Sequence, residues 1–317
     1  MTQSNVNDKP LVSVIIPTYN YARFLGETLQ SMLSQSYCSL EVIVVNDGST
    51  DETLDVIRRF EQDKRLIVYT QSNQGAIKAV NKGVELSRGD YIATCGGDDL
   101  WNVDHVKLLM DGFGQHPEAG LLFDNGEYFH DSSESGKKLV VPAAKSKELA
   151  NKAVSLRDIF TKNWITGCTF IVRREVLNRV GLFNPALYMT GDLHHFYRIA
   201  ASCPIYYVDY IGAKVRIHQR NMTVLQPHYE FGVRSLEDLK EHYPEVVGKI
   251  GSRIFARKLG RKYFRLACYY EQIGEFEKAA MAFKKAFLTR RSRPRYYWGY
   301  LRVSCRRLIK NLAYKSS

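Results

Sequence analysis

The sequence contains no apolar run of the roughly 18 residues that a membrane-spanning helix requires, so a spanning segment is excluded on length. Residues 1–10 are polar and have no apolar core. A flexible start is expected there, and no secretory leader. Cysteine is sparse. The six residues, Cys38, Cys95, Cys168, Cys203, Cys268 and Cys305, never stand as Cys-x-x-Cys. That spacing argues against a zinc site or a disulfide frame, and for reduced core thiols in a cytoplasmic protein. No Gly-rich, basic phosphate loop follows the first apolar segment at Pro17–Leu25, so the usual signature of a nucleotidyltransferase is missing. Acidic residues are scarce near the C-terminus: residues 249–317 hold 19 Lys and Arg against 3 Glu, a net of +16. The whole chain is +12, which leaves about −4 on residues 1–248. An anionic surface, membrane or nucleic acid, is the partner such a tail suits.

What is present is an ordinary globular composition, 45% hydrophobic and 25% charged over 317 residues. That is enough for one large domain and a smaller one. Leu11-Val-Ser-Val-Ile-Ile16, Glu41-Val-Ile-Val-Val45, Leu66–Tyr69 and Tyr91–Thr94 are short apolar runs bounded by turn residues, as buried parallel strands are. Between them, Tyr21–Gln35, a helix capped by Thr50 or Asp51 and carrying Leu54, Ile57 and Phe60, and Ala76–Ser87 show helical spacing. Three strand–helix repeats predict a mostly parallel, nucleotide-binding α/β sheet flanked by helices. Further on, the pattern predicts a helix over about Val103–Gln115 and strands at Gly120–Phe123, Ile165–Val172, Ile205–Val208 and Ala213–Ile217. It also predicts a helix through Phe196–Ala201 and a mobile loop over the polar residues 131–150.

Asp90-Tyr-Ile-Ala-Thr-Cys-Gly-Gly-Asp-Asp99 carries the main chemical signal. A buried strand breaks at two glycines and ends on two carboxylates, which repel unless a cation or donor is present. Such oxygen ligands outside the carboxyl end of a strand suit Mg²⁺ or Mn²⁺ carrying a substrate diphosphate. An exposed turn capping the next helix is the simpler alternative. A parallel sheet brings Pro17-Thr-Tyr-Asn20 and Asp47 to the same edge. Tyr19 can stack on a planar ring, and Asp47 can accept from a base N–H, although Asn-Asp-Gly is also a plain turn sequence.

The order and spacing of these residues resemble a family 2 glycosyltransferase of the GT-A fold. The resemblance rests on Val14-Ile-Ile-Pro-Thr-Tyr-Asn20, Val44-Val-Asn-Asp-Gly-Ser-Thr-Asp51, Asn73-Gln-Gly75 with Asn81-Lys-Gly83, Gly89-Asp-Tyr-Ile92, Gly97-Asp-Asp99 and Asp104. Gly167, Arg173-Arg-Glu-Val176, Val180-Gly-Leu-Phe183, Asp192 and Arg216-Ile-His218 follow, so it covers about residues 11–222. It implies transfer of a sugar from a nucleotide-activated donor, UDP-linked, to a hydroxyl of a glycan or lipid-linked glycan, with inversion in one displacement. It implies a donor site at Pro17, Tyr19, Asp47 and Asp98, with Tyr19 and Asp47 on the base and Asp98 on the ribose. Asp99 would hold the divalent metal, Mn²⁺ or Mg²⁺, and Asp192 would be the general base. His218 is a further candidate for the metal or diphosphate, or else a loop histidine without that role. Two departures stand out: Gly96 where the metal motif usually has another Asp, and Gly191 where Glu usually precedes the base. His194 and His195 are expected on a partly exposed helix surface.

From about Tyr229 the pattern is helical throughout. The chain is therefore expected to divide into a flexible start at 1–10, a GT-A domain at 11–225 and a basic, all-helical extension at 226–317. Tyr263, Leu266, Ala267, Tyr270, Gly274, Ala279, Phe283 and Ala286 fall at the spacings of one tetratricopeptide helix pair, which must pack on other elements. Beyond Pro294, Tyr297, Leu301, Cys305, Leu308 and Leu312 form a stripe, with Tyr296, Tyr297, Trp298 and Tyr300 crowding its start. The composition fits an interfacial helix on an anionic membrane, or equally a helix docked on the protein with solvated arginines. The expectation is an enzyme of cell-surface polysaccharide or glycoconjugate synthesis, peripheral on the inner membrane face, without a nucleic-acid partner. An inactive nucleotide-binding scaffold, with Gly96 and Gly191 as marks of decay, and a nucleotidyltransferase are the competing readings.

Overall fold

The computed structural model describes residues 9–130, 133–150, 152–219, 221 and 229–315, and the chain divides between Asn221 and Met222 into two compact units. Residues 1–8 of the expected flexible start, and the expected boundary near 225, lie outside the described residues.

The strands of the first unit are β1 (Val12–Thr18), β2 (Leu40–Asn46), β3 (Leu66–Thr70), β4 (Tyr91–Thr94), β5 (Leu100–Trp101), β6 (Leu121–His130), β7 (Ser133–Leu139), β8 (Phe170–Arg173) and β9 (Ile205–Arg216). The helices are α1 (Ala22–Leu33), α2 (Thr53–Arg58), α3 (Ala76–Leu86), α4 (His105–Gln115), α5 (Ala143–Leu149), α6 (Leu156–Thr161), α7 (Arg174–Val180) and α8 (Gly191–Ser202). The strands lie in the order β3-β2-β1-β4-β8-β6-β9-β5, with β7 on β6. β1 to β4 pair in parallel, since each return passes through a crossover. Beyond β4 the sheet is mixed: β8 is antiparallel to β4 and β6, while β6 and β9 run parallel. β2 and β3 lie on one side of β1 and β4 on the other. That reversal opens a crevice at the carboxyl ends of β1 and β4, where open α/β sheets take ligands.

Alternation along β1 and β2 divides the core. Val12, Val14, Ile16, Val42 and Val44 pack with Leu25, Leu29 and Met32 of α1, whereas Ile43 and Val45 pack with Ala79 of α3. At the opposite end of the sheet from the crevice, the buried Glu41 accepts from Ser13 Oγ (2.6 Å) and from the backbone N–H (2.7 Å) and guanidinium of Arg88. These bonds outweigh the cost of burial and hold its carboxyl below the usual range.

Four sequence expectations change. The polar stretch 131–150 holds β7 and α5 where it is described, and Asn125 staples this region through Val141 N and O (2.8 Å each). Its polarity misled because β7 pairs only with β6. Ile165–Val172 is a strand only from Phe170, since Asn163 Oδ1 takes Ile165 N–H (3.1 Å) and Thr169 Oγ1 takes Thr166 N–H (3.1 Å). The two last strands are one, β9, with its register against β6 shifted between Phe123 and Gly126. Of the cysteines, all free thiols, only Cys95 and Cys168 are core residues, and Cys38 and Cys305 are exposed.

The second unit comprises α9 (Tyr229–His242), α10 (Pro244–Ile250), α11 (Ser252–Gln272), α12 (Phe276–Thr289) and α13 (Pro294–Lys315). The chain turns from α11 to α12 at Gly274, whose φ of 79° is a left-handed value that suits glycine. Leu266, Ala267, Ala279, Phe283 and Ala286 are buried. α13 docks on α12 at Gly299, where a Cβ would stand 2.5 Å from Phe283 Cε1, and on α11 through Tyr296, whose ring lies 5.0 Å from that of Phe264; Tyr296 and Val303 are 0% exposed. The apolar stripe is therefore not the docked face. Tyr297 and Cys305 are exposed, and the side chains of Leu308 and Leu312 lie outside the described part. Arg302 and Arg306 are both paired with Glu271. No helix among the described residues is long and apolar enough to cross a membrane.

Gly83 of α3 tests how tightly helix and sheet fit. A Cβ there would fall well inside contact distance of Ile15 Cγ2, in the core. In an open helix interior, Gly→Ala stabilises by about 0.5–1 kcal/mol. Here Gly83→Ala is expected to cost roughly 1–3 kcal/mol, as overpacking does, measured as a lower urea midpoint at unchanged m-value.

Candidate active site

The ends of β1 and β2 are laced together. Asp47 N donates to Thr18 O (2.8 Å). Asn20 N donates to Ser49 Oγ (3.0 Å) and Asn20 Oδ1 accepts from Thr50 N (2.8 Å). Pro17 lies beyond Ile15, the last residue of β1 paired with β4, so its missing N–H breaks no ladder there. Tyr19 is 44% exposed in this region, with its ring free to stack. Asp47 is buried. Its Oδ1 accepts from Gln71 Nε2 (2.7 Å) and Gln74 N (2.9 Å), and its Oδ2 from Gly75 N (2.7 Å). It thus fixes the loop after β3 and, with about four acceptor positions on a carboxylate, keeps one for a further donor. Asp51 also acts across elements: Oδ1 accepts from Thr53 N at the start of α2 (3.1 Å) and Oδ2 accepts from Ala22 N (3.2 Å), while the N-cap position itself is Glu52.

Asp98 and Asp99 follow β4 in a turn that α1 and β9 hold in place. Thr28 Oγ1 donates to Gly97 O (3.2 Å) and Asp99 O (2.9 Å), Ser31 Oγ accepts from Trp101 N (3.2 Å), and Gln35 Nε2 reaches Asn102 O (2.9 Å). Arg216 N donates to Asp99 Oδ1 (3.0 Å), and Arg216 Nε to Asp98 O (2.9 Å). The guanidinium is buried over Phe24 and Phe129 and ends on Glu27 (2.6 Å). Asp98 Oδ2 is 3.0 Å from His218 Nε2 and 3.3 Å from Asn221 Nδ2. His218 stacks on Phe24 at 4.6 Å. The Tyr21 hydroxyl also donates to Asp98, and burial together with the two carboxylates pushes that phenol far up. The Cys168 thiol donates to Asp99. Burial, then Asp98, raises the Asp99 carboxyl to about 7.

Asp192 sits at the start of α8, half-buried, and accepts from Leu193 N (2.7 Å); burial raises its carboxyl. The chain leading to it reaches the loop that Asp47 holds. A Cβ on Gly75 would lie 3.2 Å from the ring edge of Tyr188, and Tyr188 also interacts with Tyr21.

The sequence profile described as glycosyl transferase family 2 matches residues 13–181, more than half of the chain. The chain belongs to glycosyl transferase family 2. An uncharacterised glycosyltransferase of Rickettsia typhi is 27% identical over 215 residues, 68% of this chain and 66% of that protein. TuaG of Bacillus subtilis, a glycosyltransferase assigned to teichuronic acid biosynthesis, is 32% identical over 181 residues, 56% of this chain and 68% of its own. Against a Rickettsia felis relative, 29% identical over 212 residues, the match spans only 34% of that protein. Among solved structures, residues 1–349 of Staphylococcus aureus TarS in complex with UDP-GlcNAc superpose with a TM-score of 0.69 at 19% identity, covering 88% of this chain and 81% of that one. That likeness shows the fold, a GT-A-like curled α/β sheet flanked by helices, as the sequence led one to expect.

Within this family 2 framework the carboxylates fit a hard divalent cation. A Cβ on Gly96 would stand 2.5 Å from Asp98 Oδ1 and 3.4 Å from Asp99 Oδ2, so both oxygens converge on the bare face of that glycine. Their mutual repulsion, visible in the raised Asp99 carboxyl, is what a cation relieves. Among the described residues no three His, Cys, Asp or Glu side chains form a metal cage.

Pro17, Tyr19 and Asp47 come together at the ends of β1 and β2, and His218 meets Asp98 at the turn after β4. Asp192 approaches through Tyr188. The sequence reading missed Tyr21, Thr28, Cys168 and Asn221, and quoted Arg216 without a role. One signal was readable: Arg216 and His218 alternate along a strand end and so share a side. One expectation is overturned. His194 and His195 are 0% exposed, because α8 turns that face inward, and the ring of His195 stacks on Phe183 at 4.1 Å. Burial, then Arg198 and His194, lowers the His195 imidazole from 6.5 to about 3.

That burial sets a pH dependence. The unfolded chain takes up the His195 proton near 6.5, before the folded one does, so stability falls as pH drops through 6.5 toward about 3. The slope is up to roughly 1.4 kcal/mol per pH unit. His195→Phe is expected to remove this slope from denaturant midpoints measured between pH 4 and 7, and an unchanged slope would exclude His195 as its source.

Proposed function

We propose that this chain is an inverting glycosyltransferase. It moves a sugar from a nucleoside diphosphate donor, UDP-linked, to a hydroxyl of a glycan or lipid-linked glycan in cell-surface polysaccharide or glycoconjugate synthesis, assisted by Mn²⁺ or Mg²⁺. The observation that carries this reading is the convergence of Tyr19, Asp47 and the Asp98-Asp99 pair at the crevice between β1 and β4. The UDP-GlcNAc complex of the TarS fragment supports the donor class, and the assignment of TuaG supports the setting. A metal supplied with the donor is in keeping with a Pyrobaculum calidifontis mannosyltransferase solved with GDP-Man and Mn²⁺, TM-score 0.54 at 20% identity.

In this reading Tyr19 stacks on the base and the remaining acceptor position of Asp47 takes a base N–H. Asp98, oriented by Tyr21, His218 and Asn221, accepts from the ribose, and Asp99 holds the cation. When bound, the cation neutralises charge that develops on the departing diphosphate. Asp192 takes the acceptor proton, and a raised carboxyl is a better base than an exposed one. The basic second unit supports work at the cytoplasmic face of an anionic membrane. No phosphate loop supports a nucleotidyltransferase.

Two substitutions separate binding from turnover. Asp99→Asn keeps shape and removes charge, so Mn²⁺-linked affinity for UDP by calorimetry should weaken strongly with the fold intact. Asp192→Asn keeps an acceptor for Leu193 N, so UDP binding should hold while turnover falls by roughly 10²–10⁴, the share of a positioned general base. Near-normal turnover of Asp192→Asn would remove it from the mechanism. A thermal-shift series of UDP-sugars with Mn²⁺ identifies the donor, since a ligand at 100 times its Kd adds about 2.7 kcal/mol.

A further inference from the structure

Where α12 turns into α13, the second unit carries a surface that its own packing covers only in part. Phe287 and Tyr297 meet across the turn with ring centroids 5.3 Å apart, which brings their neighbours Leu288 and Trp298 to the same end of the helix pair. Leu288 is 54% exposed, Tyr297 43% and Trp298 66%. The docking of α13 is carried by Tyr296, Gly299 and Val303 with one ring contact from Tyr297, and more than half of Leu288 and of Trp298 is left exposed beside it. Between them the chain reads Arg290-Arg-Ser-Arg-Pro-Arg295. Arg290 lies along Gly260 and Arg295 over Phe264. Arg291 and Arg293 are exposed and make no ion pair among the described residues, in contrast to Arg302 and Arg306 on Glu271.

We infer that this turn, Leu288 to Trp298, is the surface with which the protein contacts an anionic phospholipid bilayer: Trp298, Tyr297 and Leu288 enter the headgroup boundary, and Arg291 and Arg293 meet lipid phosphates. Half-exposed aromatics beside unpartnered arginines are the composition of an interfacial contact. The charge is complementary, since the surrounding residues 249–317 carry +16. The inference rests on the reading of the second unit as a membrane contact. It places that contact at the turn, not along the arginines of α13 that Glu271 occupies.

The experiment is co-sedimentation of the full chain with phosphatidylcholine vesicles, with and without 30% phosphatidylglycerol. The wild type is compared with Trp298→Ala and with Arg291→Glu/Arg293→Glu. Far-UV circular dichroism and UDP calorimetry are run on the same samples. Binding is expected only to anionic vesicles and to weaken with salt. Each variant should bind at least ten-fold more weakly, with circular dichroism and UDP affinity unchanged. Wild type that ignores anionic vesicles, or variants that bind as well as wild type, overturn the inference. So does loss of self-association by Trp298→Ala without vesicle binding, which would make the surface a contact between copies. Binding to duplex DNA in preference to anionic vesicles would overturn it as well. Because UDP affinity is read separately, failure at the vesicles leaves the glycosyltransferase reading standing, and failure to bind UDP leaves the vesicle result standing.

Discussion

Two carboxylates side by side at the end of a buried strand are the constraint that the rest of the first unit answers to. Asp98 and Asp99 repel each other, and a low-dielectric surrounding makes that repulsion expensive. The fold meets it by ringing the pair with donors from other elements: the backbone N–H of Arg216 at the end of β9, an imidazole and an amide from His218 and Asn221, and a phenol from Tyr21, while the Arg216 guanidinium holds the Asp98 main-chain carbonyl. Arg216 is itself a buried cation, which needs partners of its own. It has Glu27 and two aromatic faces. The turn therefore depends at once on α1, β4 and β9, segments far apart in sequence, and a cation arriving with a diphosphate would complete a balance that the protein holds partway.

Much of this was legible in the sequence where a local pattern suffices. The strands β1, β2 and β4 announce themselves as unbroken apolar runs, and the residues after them, Tyr19, Asp47 and Asp98-Asp99, are placed by parallel pairing alone. What escaped are contacts without a local signature. Thr28 and Ser31 of α1 and Gln35 just beyond its end are spaced at three and four residues, a polar line along one side of this segment. Only the structure shows that this line is the peg for residues 97–102. His194 and His195 look like surface residues by type and are core residues by position, because α8 turns its histidine side inward. In α13 the sequence pattern points to a stripe through Tyr297, Leu301 and Cys305, yet the buried positions are Tyr296, Gly299 and Val303, where a glycine lets Phe283 come close.

The glycines at 96 and 191 bear on whether the site is a working one. Each stands where the family usually has a carboxylate, and loss of two acids reads at first as decay. Packing gives another account. A Cβ at 96 would stand 2.5 Å from Asp98 Oδ1, so that carboxylate would have to shift, while at 191 it would meet Ile77 of α3 at 3.0 Å. In both places glycine is what the neighbours fit. Asp47 argues the same way. A carboxylate buried merely in a turn needs one or two donors, but this one takes three that fix the loop against Tyr188 and so against the approach to Asp192. Through these bonds the buried acid joins the end of β2 to the approach to α8, and the space a side chain would need is taken by Asp98 at 96 and by Ile77 at 191.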